Sequence, residues 1–342
     1  MSDIKLDENL LISKINEESG FKSASFLSDL DLKFLPTRSR LFNVFLSNRR
    51  DGGIIYGRDG ITLISGEPST GKTLLAAEIS RSVQDAGGIV VYLDSEHAVN
   101  KDFFKKIGVN IDKLIIVDPE SLENGFKIIE NTIFTIRESS SEKNVVIIWD
   151  SIAATISSYE QEDQSYDPQN SIGVAARIMS KALRKINPII SRNNISIIFT
   201  NQLRKTISNV QYGDTDSEYG GKALQYYAST KVKLRRVEYI KNKEGVVIGS
   251  KVKFTLVKSR VGSPMKEIVF RIYNDSGIDD ILTLKDQLDK FGFIKTAGAW
   301  STLEVLGEQV KFRGDDEFKQ LITSNKDLLE RCYTLVEDKL IY

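Results

Sequence analysis

The run Gly66-Glu67-Pro68-Ser69-Thr70-Gly71-Lys72-Thr73 contains the residue types that bind the phosphates of a nucleotide. Apolar residues 61–64 precede it as a predicted strand, and residues 74–77 follow it as the start of a helix. The glycines let the backbone approach an anion, Lys72 can reach the β and γ phosphates, and the Thr73 hydroxyl suits Mg²⁺. The order strand, G-x-x-x-x-G-K-T, helix predicts a P-loop. A glycine-rich surface turn that matches by chance is the alternative.

Two further predicted strands end in carboxylates. Residues 89–93 lead into Glu96 and His97, and residues 145–149 are closed by Asp150. Ligands of open α/β sheets bind at the carboxyl ends of the strands, so Glu96 is a candidate to orient or deprotonate a water molecule that attacks a γ phosphate. A helix-capping role for Glu96 and a structural role for His97 are the alternatives. Asp150 fits the Walker B acid, which approaches a metal ion, usually through water.

A long segment without regular pattern follows the next predicted strand, residues 195–200. Gln202 closes this strand, and its amide is a candidate sensor of a γ phosphate. Segment 203–221 is about 19 residues long, and loops of that length in a compact domain are usually functional or disordered. It carries two cations and an aromatic side chain: Arg204, Lys205 and Tyr212. These side chains suit a single-stranded polynucleotide, through phosphate contacts and base stacking.

A helix is predicted over residues 172–192, after a polar segment, 160–170, that reads as a mobile loop. Cations recur along this helix at three- and four-residue steps, which places them on one face: Arg177, Lys181, Arg184 and Lys185. Apolar residues can face the core from the same helix: Val174, Ile178, Leu183 and Ile186.

Positive charge is concentrated in one part of the chain. Lys plus Arg equals Asp plus Glu, at 47 each, but residues 177–260 contain 18 basic and five acidic residues, a net charge of +13. Such segregation is either an ordinary solvated face or the footprint of a nucleic acid.

Composition favours a globular protein of the cytoplasm. Of the 342 residues, 41% are apolar and 27% are charged, and no apolar run approaches the roughly 18 residues of a membrane span. The N-terminus has no export signal. One cysteine, Cys332, and one histidine, His97, cannot supply an internal disulfide or a structural zinc cluster.

Alternating strands and helices predict an α/β fold with a mainly parallel central sheet. Strands at 231–236, 251–257 and 267–273 fit an antiparallel extension, and helices are predicted at 282–291, 317–323 and 328–336. We expect three parts. Residues 1–40 form a partly helical appendage that packs on the core or docks on a neighbouring protomer, 41–275 form the core, and 276–342 form a small C-terminal α/β domain.

Seven motifs follow one another between residues 41 and 300: the P-loop, Asp94-Ser95-Glu96-His97-Ala98, Asp150-Ser151-Ile152-Ala153-Ala154, Gly173-Val174-Ala175-Ala176-Arg177, Asn201-Gln202-Leu203-Arg204, Gly220-Gly221-Lys222-Ala223-Leu224 and Ala297-Gly298-Ala299-Trp300. In this order they resemble the RecA family of DNA strand-exchange recombinases. Leu35-Pro36-Thr37-Arg38 looks more like the phage branch of this family, typified by UvsX. The resemblance implies a RecA-type P-loop NTPase core and an oligomerisation role for the appendage.

The same resemblance implies how ATP and Mg²⁺ are bound. Lys72 and Thr73 contact the phosphates and Mg²⁺, Asp150 is the Walker B acid near the metal, and Glu96 activates water. Three further roles are implied by position: Gln202 as the sensor that couples ATP to DNA, and Asn100 and Phe103 beside the adenine. In this family the nucleotide lies between protomers of a filament, and Lys258 and Arg260 match the two cations with which a neighbour reaches the γ phosphate.

The resemblance also implies the DNA contacts. Residues 160–173 and 203–221 correspond to the two DNA-binding loops. The primary strand is held by positions that match Arg177, Ser180, Arg184, Arg204, Gly220 and Gly221, with Lys205 and Tyr212 beside them in the second loop.

The function implied is that of a DNA-dependent ATPase that forms a helical filament on single-stranded DNA and pairs it with homologous double-stranded DNA. Single-strand-binding and loader proteins are further expected partners. A helicase or branch-migration motor with the same core is one alternative. A scaffold that binds ATP and coats DNA without turnover is the other.

Overall fold

The structure, a computed structural model, describes residues 7–20, 23–139, 143–163, 173–205 and 216–341. Its helices are α1 Glu8–Ser19, α2 Arg40–Ser47, α3 Lys72–Asp85, α4 Lys101–Ile107, α5 Leu122–Glu138, α6 Ser158–Glu162, α7 Val174–Ile190, α8 Lys222–Tyr227, α9 Asp280–Lys290, α10 Gly314–Ser324 and α11 Lys326–Leu340. Its strands are β1 Lys33–Leu35, β2 Ile54–Tyr56, β3 Ile61–Gly66, β4 Ile89–Asp94, β5 Leu114–Val117, β6 Val145–Asp150, β7 Ile195–Lys205, β8 Asp216–Glu218, β9 Thr230–Lys241, β10 Val247–Ser259, β11 Lys266–Tyr273, β12 Gly277–Ile278, β13 Ile294–Ala297, β14 Trp300–Val305 and β15 Glu308–Phe312.

The chain divides into two units between Lys33 and Phe34. In the first, α1 begins at Asp7, whose carboxylate accepts a hydrogen bond from the Asn9 amide, and ends at Gly20 in a left-handed conformation. No residue of α1 is buried. Within this unit the Asn16 side chain accepts hydrogen bonds from the backbone of the segment that follows α1.

In the second unit the described strands form a ten-stranded sheet of order β12-β11-β10-β9-β3-β7-β6-β4-β5, with β8 on β7. Neighbouring strands from β9 to β5 run parallel. β10, β11 and β12 extend the sheet with antiparallel pairs. The predicted α/β fold with a mainly parallel sheet and an antiparallel extension is confirmed.

Hydrophobic side chains cover the two faces of the sheet in alternation. Ile61 and Leu63 of β3 belong to the cluster that α5 and α7 cover, whereas Ile64 belongs to the cluster on the other face, with α2, α3 and the C-terminal helices. Successive strand side chains point to opposite faces. Burial on both faces therefore explains the continuous apolar runs that made these strands recognisable.

Two segments predicted as loops contain regular structure. β7 continues to Lys205 rather than ending near residue 200, and Leu203–Lys205 pairs with β8, so the ends of segment 203–221 form an antiparallel ladder. At the start of segment 160–170, Ser157 and Glu160 form a capping box that begins α6 at Ser158. The Glu160 carboxylate accepts one hydrogen bond from the Ser157 backbone N–H, at 2.8 Å, which satisfies a free donor of the helix end.

The C-terminal part carries α9, α10 and α11, where helices were predicted, and also a three-stranded antiparallel sheet, β13-β14-β15, that our interpretation of the sequence had not located. α11 packs on α2 at the start of the core. Arg40 donates from Nε to Oε1 of Glu337 at 2.5 Å, and the Glu337 side chain is buried. The domain boundary between residues 275 and 276 stays a prediction.

Candidate functional site

The polar strand ends named in the sequence lie side by side. In the parallel register Gly66 is paired with Gln202, and Asp94 with Asp150. The strands follow one another as β3, β7, β6 and β4, so the P-loop, Gln202, Asp150 and the turn that carries Glu96 meet at one edge of the sheet. This is the edge at which open α/β sheets bind ligands.

The loop between β3 and α3 has the conformation of an anion cradle. Ser69 and Gly71 adopt positive φ angles of 59° and 94°. The Lys72 ammonium donates to the carbonyl oxygens of Gly66 and Glu67, at 3.1 and 3.0 Å. Gly71 precedes α3 and offers no side-chain cap, so the first-turn N–H groups face the concavity, where an anion can accept from them.

Lys72 is buried, and its surroundings act on its charge in opposite directions. Burial lowers the pKa of Lys72, whereas the carboxylates of Glu96 and Asp150 raise it. A desolvated cation between two carboxylates and a helix N-terminus suits phosphate oxygens together with a divalent cation. The residues present therefore fit a nucleoside triphosphate with its metal ion.

The Asp150 carboxylate is held rigidly at the end of β6. Tyr92 donates its hydroxyl to Oδ2 at 2.7 Å, and Thr200 donates to Oδ1 at 2.5 Å. Burial, and then the charge of Asp150, raises the pKa of Tyr92 well above its ordinary value, so this phenol is a donor. Each carboxylate oxygen keeps a lone pair for water around a metal ion.

Glu96 lies in the turn after β4, and its side chain is oriented by two donors. The Ser151 hydroxyl donates to Oε1 at 2.5 Å, and the Gln202 amide donates to the same oxygen at 2.9 Å. Ser151 follows Asp150 directly in the chain. The carboxylate is therefore connected to the end of β6, the strand beside β4, and to β7, the next strand of the sheet.

A cavity of about 500 Å³ opens at this edge. It is lined by Pro68, Ser69, Gly71, Lys72, Thr73, Leu74, Glu96, Phe103, Gln202 and Asn274. The structure thus brings together the P-loop, the candidate general base, the candidate sensor and one of the two predicted adenine neighbours. Asn274 was missed, because it lies in a turn after β11 where no motif marks it.

Asn100, the other predicted adenine neighbour, does not line the cavity. Its Oδ1 caps α4, accepting from the backbone N–H groups of Asp102 and Phe103 at 2.9 and 3.1 Å. The P-loop has a contact that the sequence did not reveal, since Arg236 of β9 donates to the Ser69 carbonyl at 2.9 Å.

Lys258 and Arg260, the two cations assigned to a neighbouring protomer, do not line the chain's own cavity. The Lys258 ammonium donates to the carbonyl oxygens of Gln225 and Tyr226 at 3.0 and 2.7 Å. Arg260 forms an ion pair with Asp59. Burial lowers the pKa of Lys258, and the charge of Arg260 lowers it further.

The predicted DNA residues of α7 and the end of the second loop lie against each other. Arg177 and Arg184 are exposed and Ser180 is half-buried. A Cβ atom added at Gly220 would lie 2.1 Å from Met179 Sδ, and one added at Gly221 would lie 3.1 Å from Ala176 Cβ. Both glycines also adopt positive φ angles, 85° and 70°, so a side chain at either position would be strained beside the turn of α7 that carries the cations. On the other side of α7, Lys185 pairs with Glu130 of α5 at 2.7 Å.

The remaining DNA contacts are described in part. Arg204 and Lys205 belong to β7 by their backbone. Tyr212, residues 164–172 of the first loop and residues 206–215 of the second lie outside the described residues.

The comparisons with known proteins agree with this geometry. The model of the RecA N-terminal domain matches residues 9–279. The chain is 36% identical to Protein RecA of Chloroherpeton thalassium over 292 residues, 85% of this chain and 77% of that protein. It is 33% identical to Protein RecA of a Mycobacterium species (strain KMS) over 334 residues, 97% and 91% of the two chains. It is 34% identical to Protein RecA of Streptomyces coelicolor over 309 residues, 90% and 78%.

The chain belongs to the RecA family. As a family member it is a nucleotide-binding, DNA-dependent ATPase of recombination and repair, and filament formation and strand exchange are characteristic of the family. Among the residues that the structure describes, no helix is both long and apolar enough to cross a membrane.

Proposed function

We propose that this chain binds ATP with Mg²⁺ at the P-loop edge of its sheet, assembles as a helical filament on single-stranded DNA, and exchanges that strand with homologous double-stranded DNA. One observation carries the proposal. Gln202, at the base of the second DNA loop, donates directly to Glu96, the candidate general base, at 2.9 Å. The group that would activate water and the segment that would hold DNA are thus in hydrogen-bond contact.

ATP with Mg²⁺ would supply the transferable phosphoryl group and the cation that neutralises its charge. The residues to hold them are Lys72 and the first-turn N–H groups of α3 for the phosphates, Thr73 and Asp150 for the metal ion, and Phe103 for the base. Asp150 is held by Tyr92 and so presents its carboxylate without losing side-chain entropy.

Glu96 is the group proposed to accept a proton from the attacking water. Its carboxylate lies in the wall of the cavity together with Lys72, and its orientation is fixed by two donors. A positioned general base contributes about 10²- to 10⁴-fold to a rate, so its neutral isostere is a sharp test.

A second copy of the chain is proposed to complete the site. Lys258 and Arg260 lie away from the chain's own cavity. Cations supplied by a neighbour would stabilise the charge that develops on the phosphate. We propose that residues 1–40 serve this assembly, that residues 41–275 form the ATPase core and that residues 276–342 form a separate small domain.

Contacts with DNA are proposed at Arg177, Ser180 and Arg184 of α7, and at Gly220 and Gly221, which precede α8 and lie against α7. Further DNA contacts are proposed in the second loop, at Arg204, Lys205 and Tyr212. A change in the hydrogen bond between Gln202 and Glu96 would then move β7 and the loop behind it.

The experiment measures ATP hydrolysis with and without single-stranded DNA, followed by strand invasion into homologous and unrelated duplexes, with Lys72→Ala as the control that loses the phosphate cation. Stimulated hydrolysis and invasion of the homologous duplex alone are expected. Unwinding of a forked duplex without homology would indicate a helicase, and DNA coating without turnover would indicate a scaffold; either result would refute the proposal.

A further inference from the structure

Behind Glu96 lies a cluster of polar side chains that no step of the proposed reaction uses. Trp149 of β6 donates from Nε1 to the Ser95 hydroxyl at 2.7 Å and to the Thr155 hydroxyl at 3.1 Å. Thr155 donates in turn to Ser95 at 2.7 Å. Ser95 is the residue before Glu96, and Thr155 follows β6, shortly before the first predicted DNA loop.

The cluster continues to the end of the second predicted DNA loop. Tyr219 donates its hydroxyl to the Thr155 carbonyl at 3.2 Å, and the Tyr219 carbonyl accepts from the Asn201 amide at 3.1 Å. Asn201 precedes Gln202, whose amide donates to Glu96. Peptide bonds and hydrogen bonds thus close a circuit, which we call the polar network: Ser95, Glu96, Trp149, Thr155, Asn201, Gln202 and Tyr219.

Three members of this network are removed from water, Ser95, Gln202 and Tyr219 are half-buried, and Glu96 is exposed. Trp149 and Asn201 are fully buried, and Thr155 is 4% exposed. The Trp149 ring packs on Phe126 at 5.2 Å between centroids and on Phe199 at 6.1 Å. A buried donor that loses its partner is costly, so the network has few alternative arrangements in this packing.

We propose that four positioning residues couple the Glu96 carboxylate to the protein segments that border the two predicted DNA-binding loops. They are Ser95, Trp149, Thr155 and Tyr219. The inference rests on the proposed function and adds to it a second connection, besides the contact between Gln202 and Glu96. Thr155 is its branch point, because its hydroxyl contacts Ser95 and Trp149 while its carbonyl accepts from Tyr219.

Thr155→Val is the decisive variant, because valine keeps the shape of threonine and removes only the hydroxyl. DNA-independent hydrolysis is retained, since Glu96 keeps its bonds from Ser151 and Gln202. We expect stimulation by single-stranded DNA to fall by about 3- to 10-fold, the factor that corresponds to one buried hydrogen bond. The ratio of DNA affinities with a non-hydrolysable ATP analogue and with ADP falls by a similar factor.

Three further variants separate coupling from stability. Thr155→Ser keeps the hydroxyl and retains the wild-type ratio of DNA affinities with the analogue and with ADP. Tyr219→Phe removes the hydroxyl that donates to the Thr155 carbonyl, at a half-buried position, and lowers the ratio of DNA affinities with the analogue and with ADP. Thr283→Val is the matched control, because Thr283 is fully buried and hydrogen-bonded in α9, away from the network. Removal of the Thr283 hydroxyl leaves the ratio of DNA affinities unchanged.

Trp149 itself provides a spectroscopic readout. The chain has two tryptophans, so Trp300→Phe leaves Trp149 as the single indole. In that background we expect the ATP analogue to change the Trp149 emission wavelength, because the indole N–H lies in the network. Adding Thr155→Val abolishes this nucleotide-dependent change.

The outcomes distinguish this inference from the function on which it rests. If the wild-type protein binds DNA equally with the analogue and with ADP, the proposed function fails. If the wild type discriminates and Thr155→Val discriminates equally, the network does not couple the sites. The inference would also be overturned if Thr155→Val and Thr283→Val lowered the ratio of DNA affinities equally. A Trp149 emission wavelength that does not change with nucleotide would overturn it as well.

Discussion

The Gln202 amide nitrogen lies 2.9 Å from Glu96 Oε1, across the carboxyl ends of β7 and β4. These two side chains belong to segments with different tasks. Glu96 lines the cavity beside Lys72, and Gln202 stands where β7 leads into the second predicted DNA loop. Because they share one hydrogen bond, the proposed mechanism has a change at the phosphate site alter the strand that carries the loop.

Glu96→Gln is expected to reduce DNA-stimulated hydrolysis by about 10²- to 10⁴-fold, because an amide of the same shape cannot accept a proton from water. Binding of single-stranded DNA with ATP should be retained, since the phosphate cradle is intact. Steady-state hydrolysis and a DNA-binding titration test this. Hydrolysis at the parent rate would show that Glu96 has no role as the base.

Gln202→Ala is expected to uncouple the two sites. The variant keeps Lys72 and the P-loop and so retains nucleotide affinity, but it loses the donor to Glu96, and the stimulation of hydrolysis by DNA falls. The control is Gln309→Ala, at an exposed position of β15. If Gln202→Ala kept the full stimulation, the contact would be structural only.

Arg40→Met is expected to destabilise the fold by about 1.5–3 kcal/mol, the range for hydrogen bonds to a charged group. Arg40 joins α2 to α11 through Glu337, whose side chain is 0% exposed. Urea unfolding measures the change. The control is Arg331→Met, which removes the Arg331 ion pairs with Asp327 and Glu308 at the surface of α11 and should leave the midpoint nearly unchanged. Equal midpoints for the two variants would contradict the role of Glu337.

Lys266 is expected to make the free energy of unfolding rise with pH in the alkaline range. Burial lowers the pKa of Lys266 from 10.5 to about 8. Between about pH 8 and 10 the unfolded chain binds more protons at this residue, so its contribution favours the fold increasingly as pH rises. Below about pH 8 the full cost of burying the charge is present.

Lys266→Met removes that titration. The unfolding free energy of the variant minus that of the wild type should therefore decrease as pH rises from about 8 to 10. Parallel urea titrations at several pH values measure the difference, in which the titration of all other groups cancels. A difference that is constant with pH would mean that Lys266 titrates alike in the folded and unfolded chain.

Local sequence order was enough to predict which strand ends meet at the cavity edge of the sheet. The P-loop, Glu96, Asp150 and Gln202 each follow an apolar strand, and parallel strands bring their carboxyl ends together. The α/β fold, the order of its strands along the chain and the antiparallel extension followed from the same runs. These features depend on a few consecutive residues and on a sheet that is buried on both faces.

What the sequence missed depends on contacts between distant segments. Arg236 reaches Ser69 of the P-loop only because β9 lies beside β3. Thr155 and Tyr219 are 64 residues apart and meet through one hydroxyl. Polar residues such as these carry no periodic signal, so their partners emerge only when the sheet order is known. Likewise, β8 is a three-residue strand in a segment whose sequence has no regular pattern.

In the proposed mechanism, a nucleotide at the P-loop controls the affinity of the protein for single-stranded DNA. The most direct measurement is the affinity of the purified protein for single-stranded DNA, at constant salt, with a non-hydrolysable ATP analogue, with ADP and without nucleotide. We expect the tightest binding with the analogue and clearly weaker binding in the other two conditions. Equal affinity in all three would contradict it.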